Sequence, residues 1–211
     1  LVSVHLPIAG LALIPALLGW PQLIGPLQVV VLELVIDPAS SIVFELEPAD
    51  ERVMERRPRK ASEHIFTRTH LLWSLALGLV AFAGVFTTLA LARADGASEA
   101  SQRSLALVTL VVGNLALLLA SRSDAPLWHA LRHRKNRGVP ILIGATLSLV
   151  GLLVFVPPIR DALSLGPLSL SDLALTLACG VLPVFAVDAL KSFRRAPAHP
   201  TPPQPTATPS R

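Results

Sequence analysis

Six stretches of this chain run for about 18 residues or more with scarcely a charge: Leu1–Gly19, Leu27–Phe44, Leu71–Ala92, Ser104–Ser121, Val139–Ile159 and Leu168–Leu190. About 18–20 apolar residues wound as a helix cross a hydrocarbon core of ~30 Å. In lipid the backbone must satisfy its own hydrogen bonds, so spanning segments are helices or closed barrels. These runs lack the two-residue alternation of a barrel strand. The expectation is an all-α polytopic membrane protein, a bundle of six transmembrane helices. With 52% hydrophobic residues and a mean hydropathy of +0.61, the composition agrees.

The net charge of +4 and the isoelectric point near 10.2 could suggest a nucleic-acid partner. The placement of the charge argues against one. Six Lys/Arg lie between the second and third runs (Arg52, Arg56, Arg57, Arg59, Lys60, Arg68) and five between the fourth and fifth (Arg122, Arg132, Arg134, Lys135, Arg137). Four follow the sixth (Lys191, Arg194, Arg195, Arg211), which leaves Arg93, Arg103 and Arg160 for the other side. Basic residues in alternate loops mark the cytoplasmic face. Both chain ends are then cytoplasmic, with the basic charge against anionic lipid. Cys179, the single cysteine, lies inside the last run and offers no disulfide framework.

The chain begins inside an apolar run at Leu1, and its one methionine is Met54. No basic n-region or cleavage site precedes the run, so it does not read as a signal peptide. A start of this kind reads as a piece of a longer protein, or a gene taken from the wrong start. The connector "GWPQLIGP", 19–26, predicts a tight hairpin with Trp20 at the membrane interface. Segments 45–69 and 123–138 read as cytoplasmic loops, and 94–102 and 160–169 as short exterior ones. The Pro-rich end predicts a disordered tail over 192–211, after a transport domain of residues 1–191.

Glu33 and Asp37 stand out within the second run, "VVVLELVIDPASSIVFE", 29–45. Four residues apart, they share one helix face. Counted from Leu27 they lie roughly 9 and 15 Å into the membrane. A carboxylate at mid-depth costs at least ~2.5–3.5 kcal/mol. Pro38 has no backbone N–H, so the carbonyl of Leu34 loses its partner beside them. Two anionic oxygens and a freed carbonyl outline a site for a hard cation at a broken helix. His5 in the first run is a possible ligand or a proton-linked partner of Asp37, or merely a polar residue. Asn114 in the fourth could donate to a carboxylate or lend an oxygen, or simply join helices.

Other polar residues read as structural. His129 and His133 have a metal-ligand spacing, but Arg132, Arg134 and Lys135 surround them and would repel a cation. Glu45, Glu47, Asp50 and Glu51 suit a solvated face where the second helix leaves the membrane. Asp172 and Asp188 sit near the ends of the last run, Asp188 placed to pair with Lys191 at i+3. No nucleophile elbow, P-loop or dinucleotide glycine pattern occurs.

The stretch "PLQVVVLELVIDPASSIVFELEPADERVMERRPR", 26–59, resembles the sixth transmembrane helix and following loop of P-type cation-transporting ATPases of the calcium-pump type. That family reads roughly P-x-Q-[LI]-x-W-x-N-L-[VI]-x-D and later D-x-M-x-R-x-P-R. Pro26, Gln28, Leu34, Val35 and Asp37 fit, as do Val53-Met54, Arg56-Arg57 and Pro58-Arg59. "LGWPQLIGP" resembles the turn between the family's helices five and six. The resemblance covers the chain as a transport half of helices five to ten, strong over 1–60 and topological beyond.

The resemblance implies a transported inorganic cation held by Asp37, with Glu33, His5 and Asn114 as further ligands. Glu33 stands where the family has asparagine, Ile36 where it has threonine, His5 for another asparagine and Ile8 for a glutamate. Asn114 falls where the family places a polar ligand on helix eight. The E-L-x-I-D-P variant resembles a bacterial subgroup, which implies the bacterial inner membrane. The phosphorylation motif D-K-T-G-T, the T-G-D-x hinge and P-E-G-L-P are not in this sequence. Phosphoryl transfer needs them with magnesium, so the chain alone should hydrolyse nothing. ATP and Mg2+ are expected in an upstream part of the same ATPase. The competing readings are a self-contained six-helix cation carrier or channel, and a scaffold without transport.

Overall fold

The computed structural model describes residues 2–45, 68–121 and 138–193, and of residues 35–40 and 42–44 only the helical backbone. Among the described residues the chain is helical throughout, with no strand. The helices are α1 (Val2–Leu17), α2 (Pro26–Glu45), α3 (Arg68–Ala94), α4 (Glu99–Ser121), α5 (Gly138–Phe155), α6 (Pro157–Ala162) and α7 (Leu170–Ala189). A 3-10 turn, Leu190–Phe193, follows. Four of these are long and apolar enough to cross a membrane: α3, α4, α5 and the segment Leu170–Ser192. α1 is apolar and shorter, at 16 residues. α2 has 20 residues and carries the acids. The chain is an integral membrane protein of all-α class. The apolar run 139–159 is divided, because Pro157-Pro158 ends α5 at Phe155 and starts α6. Residues 46–67 and 122–137 of the expected cytoplasmic loops, with Glu47, Asp50, Glu51, His129 and His133, lie outside the described residues, as does 194–211 of the expected tail.

Three helix ends share one device. Gly19 ends α1 with φ +67°, while the Trp20 amide donates to Pro15 O (2.8 Å) and the Gly19 amide to Ala16 O (3.3 Å). Gly96 ends α3 in the same way, with Ala97 N to Ala92 O at 2.9 Å. At the end of α6 the left-handed residue is Ser164, φ 52°, with Leu165 N to Arg160 O at 2.9 Å. This paired bonding satisfies the last carbonyls of a helix and favours glycine at the left-handed position. Serine there is held against its preference. α7 begins with a capping box in which the Asp172 amide donates to Ser169 Oγ and the Ser169 amide to Asp172 Oδ2. Asp172 is therefore a cap.

α4 is the central helix, buried on all sides, as a helix apolar all round must be. α3 and α7 pack closely on it and on each other, α1 packs on α3, and α5 lies outside α4. Lipid tails are as apolar as leucine, so helices in a membrane associate by close backbone approach and polar contacts. Gly180 on α7 has no room for a Cβ, which would stand 3.0 Å from Thr109 O of α4, and a Cβ on Gly84 of α3 would collide with Cys179 O. One apolar cluster, including Leu11, Leu23, Leu32, Leu89, Leu107 and Leu110, fills the half toward the α1–α2 turn. A second, around Val4, Leu77, Leu117 and Val184, fills the opposite half.

Candidate cation site

α1 and α2 bring two of the expected residues together. His5 Nε2 lies 3.6 Å from Glu33 Oε1. That is ion-pair range but longer than a good hydrogen bond. The two side chains are 47% and 33% exposed, so the pair stands at the edge of the packed core. Glu33 is thus a neighbour of His5 that sequence spacing alone does not single out. Asp37 is on the helical backbone of α2, one turn past Glu33, and its side chain lies outside the described residues. α2 continues as one helix through Pro38. The expected break is therefore reduced to a lost backbone donor opposite Leu34 O.

Asn114 sits on α4 at the seam of the two apolar clusters, between Val111 of one and Ala116 of the other. It is 4% exposed, and neither its Oδ1 nor its Nδ2 has a hydrogen-bond partner among the described residues. Burying an amide without partners costs ~1–3 kcal/mol. Helix–helix adhesion, the plain structural role for such a residue, uses those bonds; here they are not made. α4, the helix that carries Asn114, packs against both α1 and α2. No group of three or more His, Cys, Asp or Glu side chains gathers among the described residues. A cation here would depend on mixed oxygen donors.

Asp188 has the partner expected from spacing: Lys191 Nζ lies 2.7 Å from Asp188 Oδ1, with side chains 1% and 5% exposed for the acid and the base. The lysine also donates to Ala120 O at the end of α4. This pair is structural and removes Asp188 from the candidate ligands. Sequence reasoning missed the polar ties at the end of the bundle that holds the α1–α2 turn. Gln28 Nε2 donates to Leu163 O at 2.7 Å, and Arg103 donates to Ser164 O (2.9 Å) and Gln22 O (3.3 Å). The one available signal was glutamine at the third position of α2, where a side chain can cap the helix start.

The described residues offer a carboxylate and an imidazole in contact between α1 and α2, and a buried amide on α4 that has no hydrogen-bond partner among them. Residues 21–193 match the family described as "Cation transporting ATPase, C-terminus". A "Calcium-transporting ATPase" of Bacillus subtilis (strain 168) is similar to the chain, 24% identical over 174 residues. That match covers 80% of this chain and 19% of the Bacillus protein, so the chain spans about a fifth of that relative's length.

Proposed function

The chain belongs to the cation-transporting ATPase C-terminal family, and from that premise we propose that it is the cation-translocating half of a P-type pump. Its site lies between α1, α2 and α4. Asp37 is the indispensable ligand, because it occupies the position that the family resemblance assigns to the ion. Glu33 sets selectivity, because it departs from the family residue there. His5 is Glu33's partner, and Asn114 lends its carbonyl oxygen. The freed carbonyl of Leu34 completes a set of hard oxygen donors. The upstream part of the same ATPase supplies ATP, Mg2+ and the phosphorylated aspartate. Residues 1–191 form the transport domain, followed by the tail 192–211, in a bacterial inner membrane with both termini cytoplasmic.

The observation that carries this reading is Asn114. A buried amide with both polar atoms unbonded among the described residues is retained at a cost to stability. A cation passing between the helices offsets that cost. Protons and cation can alternate on the acids, since no Lys or Arg lies within the α1–α2 pair to neutralise them. In the complete pump, Asp37→Asn abolishes cation-dependent phosphorylation from ATP. Glu33→Gln shifts the cation or pH dependence more than the maximal rate. Wild-type cation affinity and turnover in Asp37→Asn would falsify the site; a silent Glu33→Gln alone removes only its selectivity role.

A further inference from the structure

We propose that Gln28 is a positioning residue for this site, setting the rotation of α2 and hence where Glu33 points, with Arg103 holding the abutment that Gln28 works against. The inference rests on the proposed cation site and adds to it two residues that carry no ligand role.

The argument begins with what else could fix α2. Leu27, Val30 and Leu34 form an outward stripe, 53%, 60% and 71% exposed. In lipid such a stripe is as content facing one way as another, so apolar burial fixes a helix's rotation weakly. A directional polar bond does it better. Gln28 is 7% exposed and is held at both ends of its amide. Its Oε1 accepts from the Gly25 amide at 2.9 Å, closing the start of the helix, and its Nε2 donates to Leu163 O at 2.7 Å. Both planar faces of the choice are taken: one atom ties α2 to its own first turn, the other to the turn between α6 and α7.

That turn is itself built to stay in place. Arg103 of α4 donates to Ser164 O, the residue held in the left-handed region, and to Gln22 O of the α1–α2 turn. The Gly166 amide donates to Ala100 O at 2.9 Å, and Ser104 Oγ donates to Gly166 O at 2.8 Å. A Cβ on Gly166 would come within 2.5 Å of the Ser101 amide nitrogen. Leu163 O is thus presented from a turn bolted to α4, the helix that carries Asn114. Gln28 transmits this frame to α2. Glu33 follows five residues later, roughly 7.5 Å deeper and about 140° further round. A rotation of ~30° carries a group ~5–6 Å from the axis by about 3 Å, enough to part Glu33 from His5.

The test separates rotation from transport. The chain in lipid, with Cys179→Ser, His5→Cys and Glu33→Cys, is bridged by a short bifunctional thiol reagent. Gln28→Met removes both bonds in similar volume. Gln28→Glu keeps the acceptor for the Gly25 amide and loses the donor to Leu163 O, isolating the tie between elements. Both should lower the bridging rate several-fold. Arg103→Met, which leaves α2 itself untouched, should lower it about two- to threefold, and serves if the Gln28 variants fail to fold. In the complete pump with native His5 and Glu33, Gln28→Glu should raise the half-saturating cation concentration about tenfold and leave maximal phosphorylation near wild type. Unchanged bridging in Gln28→Met and Gln28→Glu overturns the proposal, as does lowered bridging with unchanged cation dependence. Wild-type cation dependence in Asp37→Asn instead overturns the cation site, and it does so whatever the bridging shows.

Discussion

Asn114 sets two demands against each other at one residue. As a buried amide without partners among the described residues, it costs the fold ~1–3 kcal/mol. As an oxygen donor it contributes only when a cation is present. Asn114→Leu, close in volume and free of polar atoms, should therefore stabilise the chain by about 1–2 kcal/mol in thermal or denaturant unfolding in detergent. The same substitution in the complete pump should weaken cation affinity about tenfold or more. Lower stability together with unchanged affinity would identify Asn114 as helix–helix adhesive and remove it from the site. His5 and Glu33 pose the converse case. Their 3.6 Å contact at partial exposure is worth little to the fold, so loss of either should be felt in transport rather than in unfolding.

Between elements, the tightest polar join is Lys191 of the last turn, reaching Asp188 on α7 and Ala120 O on α4. Its ammonium satisfies a carbonyl at the negative end of the α4 dipole while neutralising a buried carboxylate. Lys191→Met takes the ammonium away from that buried carboxylate, a loss of up to about 3–5 kcal/mol. Asp188→Leu combined with Lys191→Met removes both charges and should recover most of the loss. The order of thermal unfolding midpoints in detergent checks this, and a double variant less stable than Lys191→Met would refute the pairing argument. This contact was legible in the sequence, because i,i+3 spacing on a helix brings an acid and a base together. So were the helices themselves, since long apolar runs without the alternation of a barrel strand span lipid as helices. The split at Val156 was legible in Pro157-Pro158 but was read as one span. Which way α2 faces was not legible. Its partners through Gln28, and the partners of Arg103, are backbone carbonyls of Leu163, Ser164 and Gln22, and a carbonyl has no signature in the residue letters. For the same reason spacing alone does not specify that His5 lies beside Glu33.

For the whole molecule the open physical quantity is its orientation in the bilayer. If each of the six apolar runs crosses once, alternate connections between them lie on one side, and the charge decides which. Segments 45–69 and 122–138 and the chain's end from Lys191 carry 15 of the 18 Lys/Arg, whereas the opposite connections carry Arg93, Arg103 and Arg160. All three are engaged within the fold: Arg93 lies 4.9 Å over the Trp20 ring, Arg103 binds two carbonyls, and Arg160 Nε lies 3.9 Å from Asp161 Oδ1. Their charge is spent on local contacts, and the aromatic pair Trp20–Phe86, stacked at 5.7 Å, suits the level of the headgroups on that side. Most of the basic residues thus fall in the connections on the other side, where anionic lipid and the retention of Lys/Arg during insertion would favour them. Single cysteines at Ser98 and Ser62 in a Cys179→Ser background read this directly. In intact cells an impermeant thiol reagent should label the residue-98 thiol and spare the residue-62 thiol, and permeabilisation should expose the second. Protection of residue 98 or labelling of residue 62 from outside would invert the orientation. It would also put the open end of the α1–α2 pair on the wrong face for an upstream ATP-hydrolysing part.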